Sequence, residues 1–504
     1  MLSVQKPGKL SKKEIIAIVL LVGLSLGLRL YRIGHENFWI DEVHQVMVSA
    51  PSPEEILANY RADTDRKQTD QAPLSQLITH YFLSESNPEF FARLPAALFG
   101  TLAVASFFIF ARQLFPVSTC ILAVLLLALS PLHVWYSQEA RWYSQWTFVT
   151  TLSYVFLFKA IRERSSAHWI GYGTASVINL YTFIYSPFVF AAQGLSTWLT
   201  SRRQGQSSRA LYTFALVMLL VLVAALPVVL MVSQSVLLGV AKSGTQRTSS
   251  ILELPYTLFT YSVGFTIGPS LRDLHGPVSM MQVVQDHPLV IVTILVFAPI
   301  SVMGLVSIVK QRQQSAWILP WLLLPPLLVF LISSVVSDMT YQVRYTWVSL
   351  PAFLLVIATG VNSLSPGKRR MALTAILGLS LISISNYYWN EAYDKAHIRD
   401  VIQHIVSAES ETTQVLVVGQ IYLAMPYYGN RPEIQVISGC GPGERLNSKL
   451  DISRAVWLVS GRDWKNQRPS CMSKLMEYYS VSQQFKVVGV DAWRLTPAAR
   501  RGQN

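Results

Sequence analysis

The sequence predicts a polytopic α-helical membrane protein with a small α/β domain at its C-terminal end. Three observations carry this prediction. Of the 504 residues, 51% are hydrophobic and only 14% charged, whereas a soluble globular domain carries about 25% charged residues. Apolar runs recur near 13–32, 94–114, 118–135, 142–160, 168–184, 186–200, 209–232, 288–309, 315–336, 345–363 and 371–388. A helix needs about 20 such residues to cross a bilayer, so about eleven spans are expected. Residues 390–504 lack such runs and alternate short strand-like segments with helical ones.

The elements follow in chain order. Lys6, Lys9, Lys12 and Lys13 precede the first run, which no small-x-small cleavage site follows but Arg29 and Arg32 do, so it reads as a retained anchor. With that basic tail in the cytoplasm, alternate loops are also basic: Arg112, then Lys159/Arg162/Arg164, Arg202/Arg203/Arg209, Lys310/Arg312 and Lys368/Arg369/Arg370. The positive-inside rule then sets the N-terminus in and the C-terminus out. The net charge of +13 is thus topology information and predicts no nucleic-acid partner. A membrane domain over 1–389, with outer loops 33–92 and 233–287, is expected to precede an extracytoplasmic domain over 390–504. Pro53-Glu54-Glu55 is a helix-start signature and 73–83 is amphipathic; both stretches are expected along the membrane surface. In the tail, strands are predicted at 415–418, 434–437, 455–460 and 485–490, and helices near 396–408 and 470–480. Cys120 reads as a core residue, while Cys440 and Cys471 can pair if the tail faces an oxidising compartment. No C-x-x-C or His-x-x-x-His pattern is present.

Charge gathers where the spans meet the outer face. Asp41 and Glu42 follow the first span directly, behind Phe38 and Trp39. Adjacent carboxylates at a membrane are costly unless they cap a helix, bind a cation or handle a proton. Arg93, Arg141 and Arg344 open spans at that same face, against the positive-inside bias. They can snorkel, pair with Glu139, Asp338 or Asp41, or bind a phosphate ester. A carboxylate that accepts a hydroxyl proton beside cations that stabilise a departing phosphate suits group transfer from a lipid-linked phosphate.

These residues fall in recognisable segments: Phe38-Trp39-Ile40-Asp41-Glu42, Ala72-Pro73-Leu74, Phe91-Ala92-Arg93-Leu94-Pro95 through Gly100, and Ser130-Pro131-Leu132-His133 through Ser144. Gly264 through Leu274, and Arg344-Tyr345 ahead of Leu350-Pro351, complete the set. The pattern resembles the GT-C fold glycosyltransferases, specifically the protein O-mannosyltransferase and aminoarabinose transferase group. The resemblance implies a polyprenyl-phosphate sugar donor, a glycan, lipid or protein acceptor, and inverting transfer at the outer face of the cell membrane. It implies Asp41 as general base, with Glu42 and Glu139 shaping the site. Arg141, Arg344, Tyr345 and Arg93 would hold the donor phosphate. A divalent cation, if the reaction uses one, would sit on Asp41, Glu42 and Glu139. Relatives often carry a basic residue or His where this chain has Gln71, so a phosphate contact expected there is missing; His80 reads as a surface-helix residue and His133 as a satisfied polar residue. Two other classes fit the sequence less well. A transporter or flippase would place ionisable residues in mid-span, where this chain has almost none. A non-catalytic envelope assembly protein would leave the acidic and arginine segments without a role.

Overall fold

The computed structural model describes residues 9–62, 72–203, 209–230, 250–270, 280–335, 341–409, 412–419, 421, 423–438, 449–461 and 467–498. Helices stand where the apolar runs predict them: α1 (Lys12–Leu30), then, beyond the short helices α2 (Ile40–Ser49), α3 (Pro53–Ala62) and α4 (Pro73–His80), α5 (Pro88–Ala111), α6 (Val117–Ala128), α7 (Pro131–Ser137), α8 (Tyr143–Glu163), α9 (Ser166–Thr182), α10 (Ser186–Arg203) and α11 (Arg209–Ala224). After α12 (Glu253–Val263) and α13 (Met280–Asp286) come α14 (Leu289–Lys310), α15 (Arg312–Val335), α16 (Leu350–Asn362) and α17 (Pro366–Trp389). Four of these, α5, α14, α15 and α17, are long and apolar enough to cross a bilayer, and the bent pair α6–α7 makes a fifth if it is one span. The surface stretches are α3 and α4; Ser52 and Glu55 cap α3 reciprocally. Asp338, Gln71, Arg272, Asp273 and Cys440 lie outside the described residues.

The helices draw two sets of loops to opposite ends. At one end Arg162 donates to the Gln113 side chain at 2.5 Å, Gln314 to the Leu114 carbonyl at 3.0 Å, and Asn362 to Thr119 at 2.9 Å. The loops after α5, α8, α14 and α16 thus lie at one end. Asp41, Arg93, Glu139 and Arg344 gather at the other end, under the tail.

One helix break controls that second end. Between α6 and α7 the axis turns by 54°. Pro131 lacks an N–H and cannot continue α6, while the Ser130 hydroxyl accepts the His133 N–H and starts α7. The break leaves carbonyls in an apolar interior, where a lost hydrogen bond is expensive. Arg29 of α1 covers them: fully buried, it donates to the carbonyls of Ser25, Ala128 and Leu127 (2.8, 3.4 and 3.5 Å) and to Ser137 Oγ, with His133 Nδ1 at 2.6 Å. Gly100 of α5 makes room for this cluster, since a Cβ there would stand 2.2 Å from Ser137 Oγ and 3.1 Å from Arg29 Nε. The polar stretch 138–142 is thereby aimed at α2.

The tail begins with α18 (Ile398–Ala408) and holds a five-stranded sheet of β1 (Thr413–Val418), β2 (Ile434–Ser438), β3 (Val456–Ser460), β4 (Tyr479–Val487) and β5 (Val490–Pro497), ordered β2-β1-β3-β5-β4. β1 runs parallel to both β2 and β3, whereas β5 is antiparallel to β3 and β4. Two expectations need correction. The run 485–490 is not one strand but the tip of the β4–β5 hairpin, turned at Gly489 with φ +73°. The helix near 470–480 ends at Leu475, and Tyr479 already belongs to β4. β4 is mostly exposed, and its alternation of Tyr479, Val481, Phe485 and Val487 is interrupted at Gln483, where the register shifts. Cys471 is disulfide-bonded and Cys120 is free and buried. The tail is docked on the helices: Phe38, Val43, Val46, Ala92 and Ala140 share one buried cluster with Ile398, Val401, Ile402 and Met425 of the tail.

Gly100→Val should push Ser137 and Arg29 apart. The expected result is a loss of about 1–3 kcal/mol from overpacking, read as a lower thermal midpoint in detergent. An unchanged midpoint would remove Gly100 from the account of the break.

Candidate functional site

The first turn of α2 separates its two carboxylates. Successive helical residues point about 100° apart, so Glu42 turns inward and is fully buried while Asp41 keeps a quarter of its side chain exposed. Glu42 closes the helix start by accepting the Trp39 N–H. Its Oε1 accepts from Arg93 Nε at 2.7 Å and the Ala140 N–H at 2.8 Å; its Oε2 accepts from Arg93 Nη2 and from Lys395 Nζ, each at 2.9 Å. Burial by itself would raise this carboxyl, but the charges of Arg93 and Lys395, with these hydrogen bonds, outweigh it and hold Glu42 down at about 2.

Arg93 is saturated by this arrangement. Beyond Glu42 it donates to the carbonyls of Ile33, Glu36 and Asn37 at 2.8, 2.8 and 3.0 Å, so all five of its N–H groups have partners. The expectation that Arg93 holds the donor phosphate is therefore corrected. The residue has no donor to offer, because it organises the loop 33–42 instead. The same crowding bears on the expected cation set. Glu42 cannot ligate a metal without giving up Arg93, Lys395 or Ala140. Among the described residues, the group whose ligand atoms come within 4.8 Å of one another is Glu36, Asp394 and His397 rather than Asp41, Glu42 and Glu139.

Asp41 faces the other way. Its Oδ2 accepts from Arg344 Nη1 at 2.7 Å, and its carbonyl accepts from Arg141 Nη1 at 3.2 Å. Three expected residues from three distant segments thus converge. Arg344 lies over the rings of Trp39 and Tyr345 at 5.7 and 5.3 Å, a cation–π arrangement that holds the guanidinium in place. Its Nε is buried with no hydrogen-bond partner. Tyr345 joins an aromatic wall, 5.0 Å from the Tyr185 ring and 5.8 Å from Phe183.

Glu139 is the second buried carboxyl. Its Oε1 accepts from Trp135 Nε1 at 2.7 Å, while Oε2 is buried without a partner. Burial, opposed in part by Lys395 and reinforced by the Glu42 charge, pushes it up to about 7. Glu42 and Glu139 thus titrate far apart in nearly the same place, because only one of them has cations in contact. Beside this centre Arg141 and Gln145 close a crevice whose walls are Ala92, Pro95, Ala96 and Phe99 of α5 and Ser75, Ile78 and Thr79 of α4.

His133 is buried against Arg29 as a polar partner, and His80 Nδ1 contacts the Ser49 carbonyl; neither approaches Asp41 through any hydrogen bond. Sequence reasoning missed Lys395. It follows the last span by six residues, in the stretch 390–397 with no apolar pattern, so its only signal was a positive charge at a span end. Also missed was the contact of Glu89 with Arg399 and with Tyr428, whose hydroxyl donates to Glu89 at 2.8 Å and accepts the Phe38 N–H.

Removing one partner of a buried ion pair strands the other charge, at about 3–5 kcal/mol. Arg93→Met should therefore lower the thermal midpoint sharply. In the wild type, the stabilisation from Glu42 is fully present above the unfolded carboxyl value of about 4.3 and is lost as pH falls towards 2. In Arg93→Met that acid-dependent loss should shrink; an acid profile identical to wild type would contradict the pairing.

Comparison with known proteins agrees with this architecture. Residues 70–231 match the family described as dolichyl-phosphate-mannose-protein mannosyltransferase. No curated protein matches the sequence. Among solved structures, apo ArnT from Cupriavidus metallidurans superposes with a TM-score of 0.61 at 12% identity, covering 95% of this chain and 97% of that one. The same protein bound to undecaprenyl phosphate gives 0.58 at 14%, over 96% and 98%. The Archaeoglobus fulgidus oligosaccharyltransferase, tethered to an acceptor peptide, gives 0.54 at 11%, over 95% and 74%. The chain thus shares the fold of these structures along nearly its whole length and matches the mannosyltransferase family model within residues 70–231.

Proposed function

We propose that the chain transfers a sugar from a polyprenyl-phosphate carrier to an acceptor hydroxyl at the extracytoplasmic face of the cell membrane, with Asp41 as general base. The observation that carries this reading is the convergence at Asp41, where Arg344 lies 2.7 Å from the carboxylate and Arg141 holds the residue's own carbonyl. In the reaction the acceptor oxygen forms a bond to the anomeric carbon as the bond from that carbon to the phosphate oxygen breaks. Asp41 takes the acceptor proton, and the electron pair leaves on the phosphate. A single displacement of this kind inverts the anomeric centre.

The cationic side of the site suits that charge flow. Arg344 and Arg141 would take the negative charge that develops on the phosphate, and the buried Nε of Arg344 supplies an unused donor. Of the compared structures, ArnT is described bound to undecaprenyl phosphate, and the archaeal oligosaccharyltransferase AglB in complex with a dolichol-phosphate. The eleven-span, N-in/C-out arrangement belongs to the same reading. It is supported by the meeting of the basic loops at the end away from the site.

Asp41→Asn is nearly isosteric and should lower turnover by about 10²–10⁴-fold while leaving undecaprenyl-phosphate binding intact. The assay would use purified protein, a panel of undecaprenyl-phosphate sugars and an envelope fraction as acceptor source. Turnover unchanged in this variant would remove Asp41 as the base. Arg344→Ala should weaken undecaprenyl-phosphate binding by roughly ten- to a hundredfold, the size of a lost charge-assisted hydrogen bond. Unaltered affinity would instead make Arg344 a partner of Asp41 alone.

A further inference from the structure

One side chain of the tail reaches the charged centre of the site. Lys395 lies between α17 and α18, where its backbone N–H donates to Glu36 Oε2 at 3.1 Å and the next residue's carbonyl accepts from the Asn37 side chain at 3.2 Å. These contacts dock the segment on the loop that leads into Asp41. The Lys395 side chain, only 9% exposed, then reaches Glu42 Oε2 at 2.9 Å. Glu42 in turn accepts the N–H of Ala140, the residue between Glu139 and Arg141. One ammonium group is thereby linked, through a single carboxylate, to the backbone that presents both site residues and to the helical turn that presents Asp41.

We propose that Lys395 is a positioning residue of the transfer site, delivered by the tail domain, which acts through Glu42 to hold the 139–141 backbone and sets the charge balance around Glu139. This rests on the reading of Asp41 and Arg344 as transfer residues. A surface lysine would gain little from one exposed ion pair. Here the ammonium is nearly enclosed, and Glu42 would otherwise face a single cation. Glu139 is faced by Asp41, Glu42, Tyr136, Tyr143 and Tyr387, all of which disfavour its charge or are neutral. Lys395 is the cation that opposes them, so its loss should drive the Glu139 carboxyl further up.

The test compares wild type, Lys395→Met, Lys395→Gln and Asp41→Asn for undecaprenyl-phosphate binding, thermal midpoint, and turnover as a function of pH. Lys395→Met should keep lipid binding, lose about 10²-fold in turnover as a misplaced site does, and move the limb of the pH profile that follows the Glu139 carboxyl to higher pH. Lys395→Gln still hydrogen-bonds Glu42 but carries no charge, so it should show the same displacement with a smaller loss. It also serves as the reading if Lys395→Met does not fold. Arg399→Ala, which removes a tail contact to Glu89 without touching Glu42, should leave that limb in place. If Asp41→Asn is inactive while both Lys395 variants keep the wild-type turnover and pH profile, Lys395 is only a docking residue. If Asp41→Asn is active, the transfer reading itself fails.

Discussion

A single buried carboxylate, Glu42, holds the site end of this molecule together. A carboxylate with no exposed surface is unstable in an apolar interior unless cations and N–H groups surround it. Glu42 satisfies that condition by collecting Arg93 from α5, Lys395 from the tail and the Ala140 amide from the segment after α7. Each of those groups comes from a different part of the chain, so the electrostatic demand of one residue joins loop, helix bundle and tail. Asp41, one position earlier, inherits its placement from this neighbour while remaining partly exposed to a ligand.

The helix break at Leu129–Ser130 is the second constraint, and it works through the same physics. A proline at the start of α7 interrupts the backbone ladder inside a packed interior, and Arg29 answers with donors to the open carbonyls. The bend carries the chain sideways and leaves 138–142 as a non-helical bridge under α2. Without it, Glu139 and Arg141 would sit on consecutive faces of one straight helix and could not both address the loop that carries Asp41. Arg29 and Arg93 therefore resemble each other in role: each is a fully buried guanidinium that closes irregular backbone. Arg344, held over two aromatic rings with a donor to spare, is built differently.

Much of this molecule is readable in its sequence because membrane helices are local in their logic. Twenty apolar residues demand a helix regardless of neighbours, and basic loops report which ends belong together. Asp41, Arg141 and Arg344 stand out in the sequence for a related reason, since charge at a span end is costly and draws notice. The tail was readable less completely. Its buried strands β1 and β3 show as apolar runs, whereas the alternation of the exposed β4 is interrupted at Gln483, and the hairpin at Gly489 hides inside what reads as one strand.

What sequence could not supply is the partner of each charge. Arg93 and Arg344 look alike in one dimension, both at span starts and both beside aromatic residues. Only the tertiary structure separates them, because a guanidinium's capacity to bind a ligand depends on how many of its donors the surrounding backbone has already taken. Glu42 and Glu139 are distinguished in the same way, one in contact with two cations and the other with none. Lys395 has only its charge at a span end as a local mark; it reaches Glu42 because the tail folds back over the helices. The sequence by itself determined the helices, their alternation and which charges are costly. The fold decided which of those charges neutralise one another and which stay partly exposed, because pairing depends on distance in space rather than along the chain.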